Sequence, residues 1–308
     1  MSETSTKQPD QDMQRPPPRV SVVLPARNEA GAIGGVVRKV IECVPDSEVI
    51  VVSDGSTDGT DELAREAGAR VLRHPYSKGN GAAIKAGARA ARGDILVFLD
   101  ADGQHDPTDI LRLLVRLDEG YDMVVGARQS GSQASIGRGL ANAIYNRLAS
   151  YMTGHPVADL TSGFRAVRAH LFREFLYLLP NGFSYPTTST MAFFRAGYSV
   201  AYEPIHAAPR IGKSHIRLAH DGARFLLIIF KVGSLYSPLK LFAPVAATLF
   251  FLGAGWYGHT FIAEGRFTNM SALLLTGGVM VFLMGLISEQ ITALMYRDTE
   301  SDTQERPQ

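Results

Sequence analysis

The segment DADGQHDP (100–107) places three aspartates, a glutamine and a histidine directly behind the apolar run ILVFL (95–99). Asp100 and Asp102 stand two residues apart. In the extended turn after a strand, one carboxylate can then reach a cation while the other shapes the site beside it. Mg2+ or Mn2+ is commonly bound by one or two carboxylates together with substrate phosphates, and such an ion neutralises a leaving diphosphate. An isolated Asp-x-Asp is as readily a solvated turn with a helix cap. What favours a site here is placement, because two more polar clusters follow apolar runs in the same way: PARNE (25–29) after VSVVL (20–24), and SDGSTDGT (53–60) after EVIVV (48–52). Asp54 is placed to accept from a base N–H, and Asp58 to cap the helix starting at Thr60. Lys78-Gly79-Asn80-Gly81 opens a later helix, where amides and a lysine can meet phosphate. No G-x-x-x-x-G-K-[ST] is present, and residue 84 is Ile84 where a third glycine would complete a dinucleotide fingerprint, so neither of those nucleotide sites is expected.

The elements that position these clusters follow from hydrophobic pattern. The runs at 20–24, 48–52, 70–72, 95–99 and 123–125 are too continuous for half-exposed strands. Helical patterns lie between them at 32–44, 60–67, 82–91 and 108–119; the last has Asp106 as cap, Pro107 at its first position and Ile110, Leu113, Leu114 and Leu117 on one face. Alternation of this kind predicts an α/β domain with a mostly parallel sheet covered on both sides. Ligands of such sheets bind at the carboxyl ends of the strands, so all three polar clusters are expected on one rim. Further on come Gly126-Ala127-Arg128, a Gly/Ser-rich loop (129–135), a helix from about 138 to 152, a strand introduced by DLTSGF (159–164), a helix at 169–179 and a last strand at 199–202.

The whole chain of 308 residues carries a net charge of +1, which gives no nucleic-acid footprint, and its single cysteine excludes an internal disulfide or a multi-cysteine metal site. Residues 1–18 read as a disordered leader, polar and ending in three prolines, without the apolar core of a secretory signal. Residues 19–215 read as the catalytic domain. Apolar residues concentrate towards the C-terminus: 241–263 and 270–288 are uncharged and each about 20 residues long, the length that crosses a bilayer. The short link at 264–269 makes them a transmembrane hairpin (239–297), followed by a polar tail (298–308). Arg217, Arg224, Lys231 and Lys240 precede the first span and Arg297 follows the second, which predicts a multi-pass protein of the cell (inner) membrane with its catalytic domain on the cytoplasmic face. Residues 216–238 are amphipathic and read as an interface segment along the bilayer surface. Glu289, near the end of the second span, is assigned a structural or helix-pairing role.

Taken in order, PARNE, SDGSTDGT, DADGQHDP, GAR (126–128) and DLTSGF resemble the inverting family 2 glycosyltransferases, and among them the dolichol- or polyprenyl-phosphate mannose synthase group. The resemblance covers about residues 20–220. It implies a glycosyltransferase A fold, a nucleotide-diphosphate sugar donor, a polyprenyl phosphate acceptor (undecaprenyl or dolichyl) and a divalent Mg2+ or Mn2+ ion. Residue by residue, it implies that Pro25, Arg27, Glu29 and Asp54 hold the nucleoside, with Lys78, Asp100, Ala101 and Asp102 completing the donor site. Asp100, Asp102 and Gln104 would serve the metal, and Arg128, Arg138 and Arg210, with Ser214 and His215, the acceptor phosphate. The catalytic set would be Asp100, Asp102, Arg128, Arg138 and Arg210. The resemblance also allows a homo-oligomer.

Two positions depart from the family pattern. Ser53 stands where many relatives have the first aspartate of a pair. Arg210-Ile211-Gly212-Lys213-Ser214-His215 has Lys213 for a glutamate and His215 for a lysine. His105 is open between metal ligand and capping roles, while Asp159 and Thr161 are expected to brace their turn. A processive polysaccharide synthase would carry Gln-x-x-Arg-Trp, whereas the single tryptophan, Trp256, lies in a membrane span. A non-catalytic nucleotide-sugar-binding adaptor, or a transferase using another membrane acceptor, is the alternative.

Overall fold

The computed structural model describes residues 19–128, 136–182, 184–206, 233–234 and 236–304, with the backbone alone for 136–142 and 295–304. Seven strands, β1 (Val20–Ala26), β2 (Glu48–Asp54), β3 (Arg70–His74), β4 (Ile95–Phe98), β5 (Met123–Arg128), β6 (Arg165–Arg168) and β7 (Val200–Ile205), form one sheet in the order β3-β2-β1-β4-β6-β5-β7. All neighbouring pairs are parallel except those made by β6, which runs antiparallel to both β4 and β5. The sheet is thus mostly parallel, as the alternation of strands and helices predicts. The reversal of β6 matters for the site. It carries residues 159–164 to the same rim as the carboxyl ends of β1, β2, β4 and β5.

Helices cover both faces. On one, α1 (Ile33–Cys43), α2 (Thr60–Glu66) and α4 (Asp109–Asp118) bury Ile33, Val37, Ala64, Ile110 and Leu113 against Val22, Leu24 and Val97. On the other, α3 (Asn80–Ala90), α6 (Ala169–Glu174) and α7 (Tyr185–Arg195) bury Ile84, Ala88, Phe172 and Phe193 against Val23, Val52 and Phe98. Val22, Val23 and Leu24 alternate between the two cores, as side chains of a pleated strand must. Regular helix begins at Asp109 with Thr108 as its N-cap, two residues later than expected; Asp106 Oδ1 accepts from Thr108 N at 2.9 Å, so Asp106 and Pro107 form the turn before α4 and not its cap and first position.

The pattern at 169–179 yields a shorter helix, α6, which ends at Glu174. Helix α7 has no counterpart in the sequence reading. Its run Pro186-Thr187-Thr188-Ser189-Thr190 is rich in residues with modest helix propensity. The start signal was nevertheless present, because the Ser184 hydroxyl accepts from Thr187 N and Pro186 sits in the first turn. Helix α5 (Ile136–Thr153) packs Tyr145, Ala149 and Met152 against Met191 of α7 and Tyr236.

Two long helices end the chain, α8 (Pro238–Glu264) and α9 (Asn269–Gln304). Both are long and apolar enough to cross a bilayer. They form a hairpin whose turn begins at Gly265 in the left-handed conformation, φ 66°. Glycines set the contact between them: a Cβ on Gly253 would come within 2.9 Å of Leu274 Cβ, and one on Gly285 within 2.8 Å of Phe242 Cβ. Such small residues let helix backbones approach closely where apolar burial supplies no drive between helices. Phe251, Ile262 and Leu273 project outward, with 72, 87 and 67 % of their surface exposed. The leader (1–18) and most of the amphipathic segment (216–232) lie outside the described residues.

Candidate active site

A cleft of about 460 Å³ opens at the carboxyl rim of the sheet, between the ends of β1, β2 and β4. Pro25 and Ala26 line it from the end of β1, Arg27 and Glu29 from the loop that follows, Asp54 from the end of β2, and Asp100, Ala101 and Asp102 from the turn after β4. Seven residues assigned from sequence to the donor site therefore share one cavity. Ser77, Gly79, Asn80 and Ala83 complete it.

The first wall is built by two strand-end loops tied together. Asn28 occupies the left-handed region, φ 56°, which asparagine tolerates better than most residues. Its side-chain Oδ1 accepts from Thr57 N at 2.9 Å, and its own N–H donates to Ser56 Oγ at 3.2 Å. Glu29 N donates to Thr60 Oγ1 at 3.0 Å and Ala30 N to Asp58 Oδ2 at 3.1 Å. Asp58 also takes the Thr60 N–H and hydroxyl on Oδ1. It thus braces the junction of the loops as well as the start of α2.

Asp54 lines the cleft and is also engaged by the protein's own donors. Its carboxylate accepts from His74 Nδ1, Ser77 Oγ, Lys78 N and Gly79 N, each at 2.8 Å. Burial alone would push this carboxyl up, but the His74 ring, the two backbone N–H groups and the Ser77 hydroxyl hold it down at about 2. Four donors occupy the four lone-pair sites of a carboxylate. Asp54 therefore organises the loop from His74 to Gly79, and through that loop the cleft wall. The Lys78-Gly79-Asn80-Gly81 segment is likewise shaped by packing. A Cβ on Gly79 would lie 2.5 Å from Asn181 O, and one on Gly81 2.0 Å from Pro180 O. The glycines admit this neighbouring loop, and the Lys78 ammonium lies 5.8 Å from the Tyr76 ring centroid.

Beside this wall stand Asp100 and Asp102. Gly163, last residue but one of DLTSGF, makes the room for Asp100: a Cβ there would sit 3.2 Å from Asp100 Oδ2 and 3.2 Å from the Tyr185 hydroxyl. Tyr185 is fully buried at the start of α7, and its hydroxyl donates to Gly163 O at 2.7 Å. The helix that sequence reading missed thus shapes the floor under Asp100. Asp102 Oδ1 accepts from Gln104 N at 3.1 Å, closing the turn through Gly103, φ 73°. His105 is buried, its ring centroid 5.3 Å from that of Phe164, and burial lowers its pKa. Among the described residues no three His, Cys, Asp or Glu side chains cluster as a metal cage. Two rim carboxylates with an adjacent amide fit a hard ion that takes its remaining ligands from phosphate and water.

Two further arginines lie outside the cleft's lining. Arg128, at the end of β5, grips Asp159 in two parallel bonds, Nε to Oδ2 at 2.8 Å and Nη2 to Oδ1 at 3.0 Å, and donates to Thr161 Oγ1 at 2.6 Å. Burial opposes the charge on both partners, yet the pairing holds Asp159 below and Arg128 above their ordinary values. Asp159 also accepts from Thr161 N and Ser162 N, both at 3.1 Å. It braces its turn, as expected, and is not a free base. Beneath lies Arg165, fully buried, whose Nη1 donates to Pro186 O, Ser189 Oγ and Thr190 Oγ1. Sequence reading passed over it, since an arginine inside a strand looks like an exposed residue. Arg138 belongs to the first turn of α5; its side chain, and Arg210, Ser214 and His215, lie outside the described residues.

Asp54→Asn should test the loop assignment. The variant keeps the shape but exchanges one acceptor oxygen for a donor, so a buried N–H loses its charged partner. Loss of a bond to a charged group removes about 1.5–3 kcal/mol, and nucleotide affinity by calorimetry should fall roughly ten- to a hundredfold. Because its folded pKa is depressed, the Asp54 contribution is complete above the ordinary carboxylate range and is lost only as pH falls towards about 2. Parent affinity should therefore show no titration from this group between roughly pH 5 and 8. Unchanged affinity in the variant would contradict the assignment.

Comparison with known proteins agrees with this geometry. Residues 21–176 match the family Glycosyl transferase family 2, and residues 237–294 match the GtrB C-terminal hairpin. Glycosyltransferase AglJ of Haloferax volcanii is 30% identical over 297 residues, covering 90% of this chain and 95% of that protein. The undecaprenyl-phosphate 4-deoxy-4-formamido-L-arabinose transferase of Aeromonas hydrophila is 31% identical, covering 92% and 90%. Among solved structures, glucosyl-3-phosphoglycerate synthase of Mycobacterium tuberculosis, in complex with Mg2+ and uridine-diphosphate, superposes with a TM-score of 0.57 at 27% identity, covering 70% of this chain and 78% of that one. The same enzyme has been crystallised with Mn2+, uridine-diphosphate and glucosyl-3-phosphoglycerate. With a sheet of glycosyltransferase A type, an acidic rim and an apolar C-terminal hairpin, the chain belongs to the family 2 glycosyltransferases.

Proposed function

We propose that this glycosyltransferase moves a single sugar from a nucleotide-diphosphate sugar to a polyprenyl phosphate, with inversion at the anomeric carbon. The observation that carries the reading is the joining of a donor-sized acidic cleft to a membrane hairpin in one chain. The bacterial relatives, named as undecaprenyl-phosphate sugar transferases, support the lipid phosphate. The nucleotide would lie against Pro25, Arg27 and Glu29, with the wall held by Asp54 beside it. Asp100, Asp102 and Gln104 would hold the ion, which supplies neutralisation of the departing diphosphate when bound. Crystallised relatives carrying Mg2+ or Mn2+ support either ion.

In the transfer, a phosphate oxygen of the acceptor attacks C1 and forms the new C–O bond. The bond from C1 to the donor's β-phosphate oxygen breaks, and its electron pair leaves with the nucleoside diphosphate. The acceptor is already an anion at neutral pH, so no general base is required. The binding of Asp159 to Arg128 accords with that. What the protein supplies is alignment and charge. Arg128, and the assigned Arg138 and Arg210 with Ser214 and His215, would hold the acceptor phosphate, since guanidinium forks match phosphate oxygens bidentately. Residues 19–215 would carry the chemistry, 216–238 would lie along the bilayer and 239–297 would cross it.

Two measurements bear on this reading. Asp102→Asn nearly preserves shape but removes charge from the ion, so transfer should drop by about two orders of magnitude or more, an effect of roughly 3 kcal/mol, with the melting temperature retained. Full activity of that variant after chelation would contradict the metal assignment. For orientation, the basic residues outside both spans support a cytoplasmic catalytic domain. In a Cys43→Ser background, Thr268→Cys should react with a membrane-impermeant thiol reagent in intact cells, whereas Ser2→Cys and Thr303→Cys should not. Labelling of either terminus from outside would reverse the topology.

A further inference from the structure

The base of the membrane hairpin is joined to the sheet domain by a polar cluster that the transfer chemistry does not use. Glu289 follows the uncharged stretch of α9, about 30 Å along the axis from Asn269 at ~1.5 Å per residue. That distance is about the thickness of the hydrocarbon core, so Glu289 falls at its edge on the side of the sheet domain. Its Oε2 accepts from Ser237 Oγ and Leu239 N, both at 3.2 Å, satisfying the first turn of α8. Its Oε1 pairs with Arg195 Nη1 at 3.3 Å. Arg195 is the last residue of α7; its Nη1 also donates to the Tyr236 carbonyl, and its guanidinium lies 6.0 Å from the Tyr236 ring centroid. Two flanking bonds strengthen the joint: Lys240 Nζ donates to Met152 O at 2.8 Å, near the end of α5, and Thr292 Oγ1 to Ser234 O at 2.9 Å.

A carboxylate is a poor choice for a helix that only needs to anchor, because charge at this depth is stabilised only by a partner. The position of the partner is informative. Arg195 ends α7, and the opposite end of α7 carries Tyr185, which packs under Gly163 and Asp100. Met152 lies near the end of α5, and the opposite end carries Arg138. The hairpin therefore grips the far end of α7, whose near end bears on the site, and the far end of α5, whose first turn holds the assigned Arg138.

We propose that Arg195 and Glu289 form a positioning pair that fixes the height and tilt of the catalytic rim over the bilayer, so that a lipid phosphate held in the membrane meets the donor's C1 in register. The inference rests on the polyprenyl-phosphate reading. It makes the pair matter for an acceptor confined to the bilayer and not for one that diffuses freely.

The test uses the full-length enzyme in nanodiscs, with Arg195→Ala, Glu289→Ala, their double variant and Glu289→Gln, which keeps an acceptor for Ser237 and Leu239 but loses the ion pair. Acceptors are undecaprenyl phosphate in the bilayer and a short, water-soluble prenyl phosphate. Each alanine variant should raise KM for the bilayer acceptor about five- to tenfold, within the range of direct pair couplings. The double variant should add little, and Glu289→Gln should fall between. Donor affinity and turnover of the soluble acceptor should stay at the parental level. Equal losses on both acceptors, no loss, or additive losses would overturn the pair. A second readout is independent of activity: energy transfer from a dye on Val115→Cys (in Cys43→Ser) to labelled lipid headgroups should shift in the variants. Unchanged energy transfer would overturn the proposal. A parent inactive on both acceptors, with energy transfer still responding, would instead overturn the acceptor reading and leave the pair as the anchor.

Discussion

Two anions that must react repel each other, and the rim of the sheet is arranged around that constraint. A nucleoside diphosphate and a phosphate monoester can approach only if fixed positive charge lies near both, and fixed charge in a partly buried site must itself be stabilised. The chain meets both demands by segregation. Carboxylates stand behind the end of β4, and guanidinium stands at the end of β5 two strands away, with β6 reversed between them. Arg128 remains charged in this partly buried place because Asp159 grips it bidentately. Asp159 in turn is held by the N–H groups of its own turn. A cation held in place this way is preorganised towards an anion.

The same reasoning extends below the rim. Arg165 is a buried cation that meets hydroxyls and carbonyls, and it ties the start of α7 to the turn that carries Gly163. The glycine leaves space for Asp100, and Tyr185 closes that space from beneath. The acidic rim is therefore built on β6 and α7 as much as on β4. Through α7 it is also connected to the membrane hairpin, whose helices approach closely at Gly253, Gly278 and Gly285. Rim, helix and hairpin form one continuous packed path.

Much of this was legible in the sequence. Continuous apolar runs ending before Pro25, Ser53 and Asp100 identified the rim, and seven residues that the family resemblance assigns to the donor site share the cleft. Uncharged runs of bilayer length identified the hairpin. What escaped depended on contacts between distant segments. The bonds that His74, Ser77, Lys78 and Gly79 give to Asp54 left no mark in its own segment, because those partners lie on a loop twenty or more residues away. The close approach of the loop at Pro180 and Asn181 to Gly79 and Gly81 was equally hidden. The direction of β6 is a property of its neighbours, β4 and β5, and leaves no mark in four residues. Arg165 was passed over because burial of a charge is decided by what surrounds it.

The central claim is that one sugar moves to a lipid phosphate with inversion. Its most direct test supplies the purified full-length protein with a panel of α-linked nucleotide-diphosphate sugars, Mg2+ or Mn2+ and undecaprenyl phosphate, and reads the anomeric configuration of the product by NMR. The account predicts a single β-linked sugar on the lipid phosphate and stoichiometric release of the nucleoside diphosphate. An α-linked product, a polymer of sugars, or release of free sugar without a glycosylated lipid from the donor it accepts would contradict it.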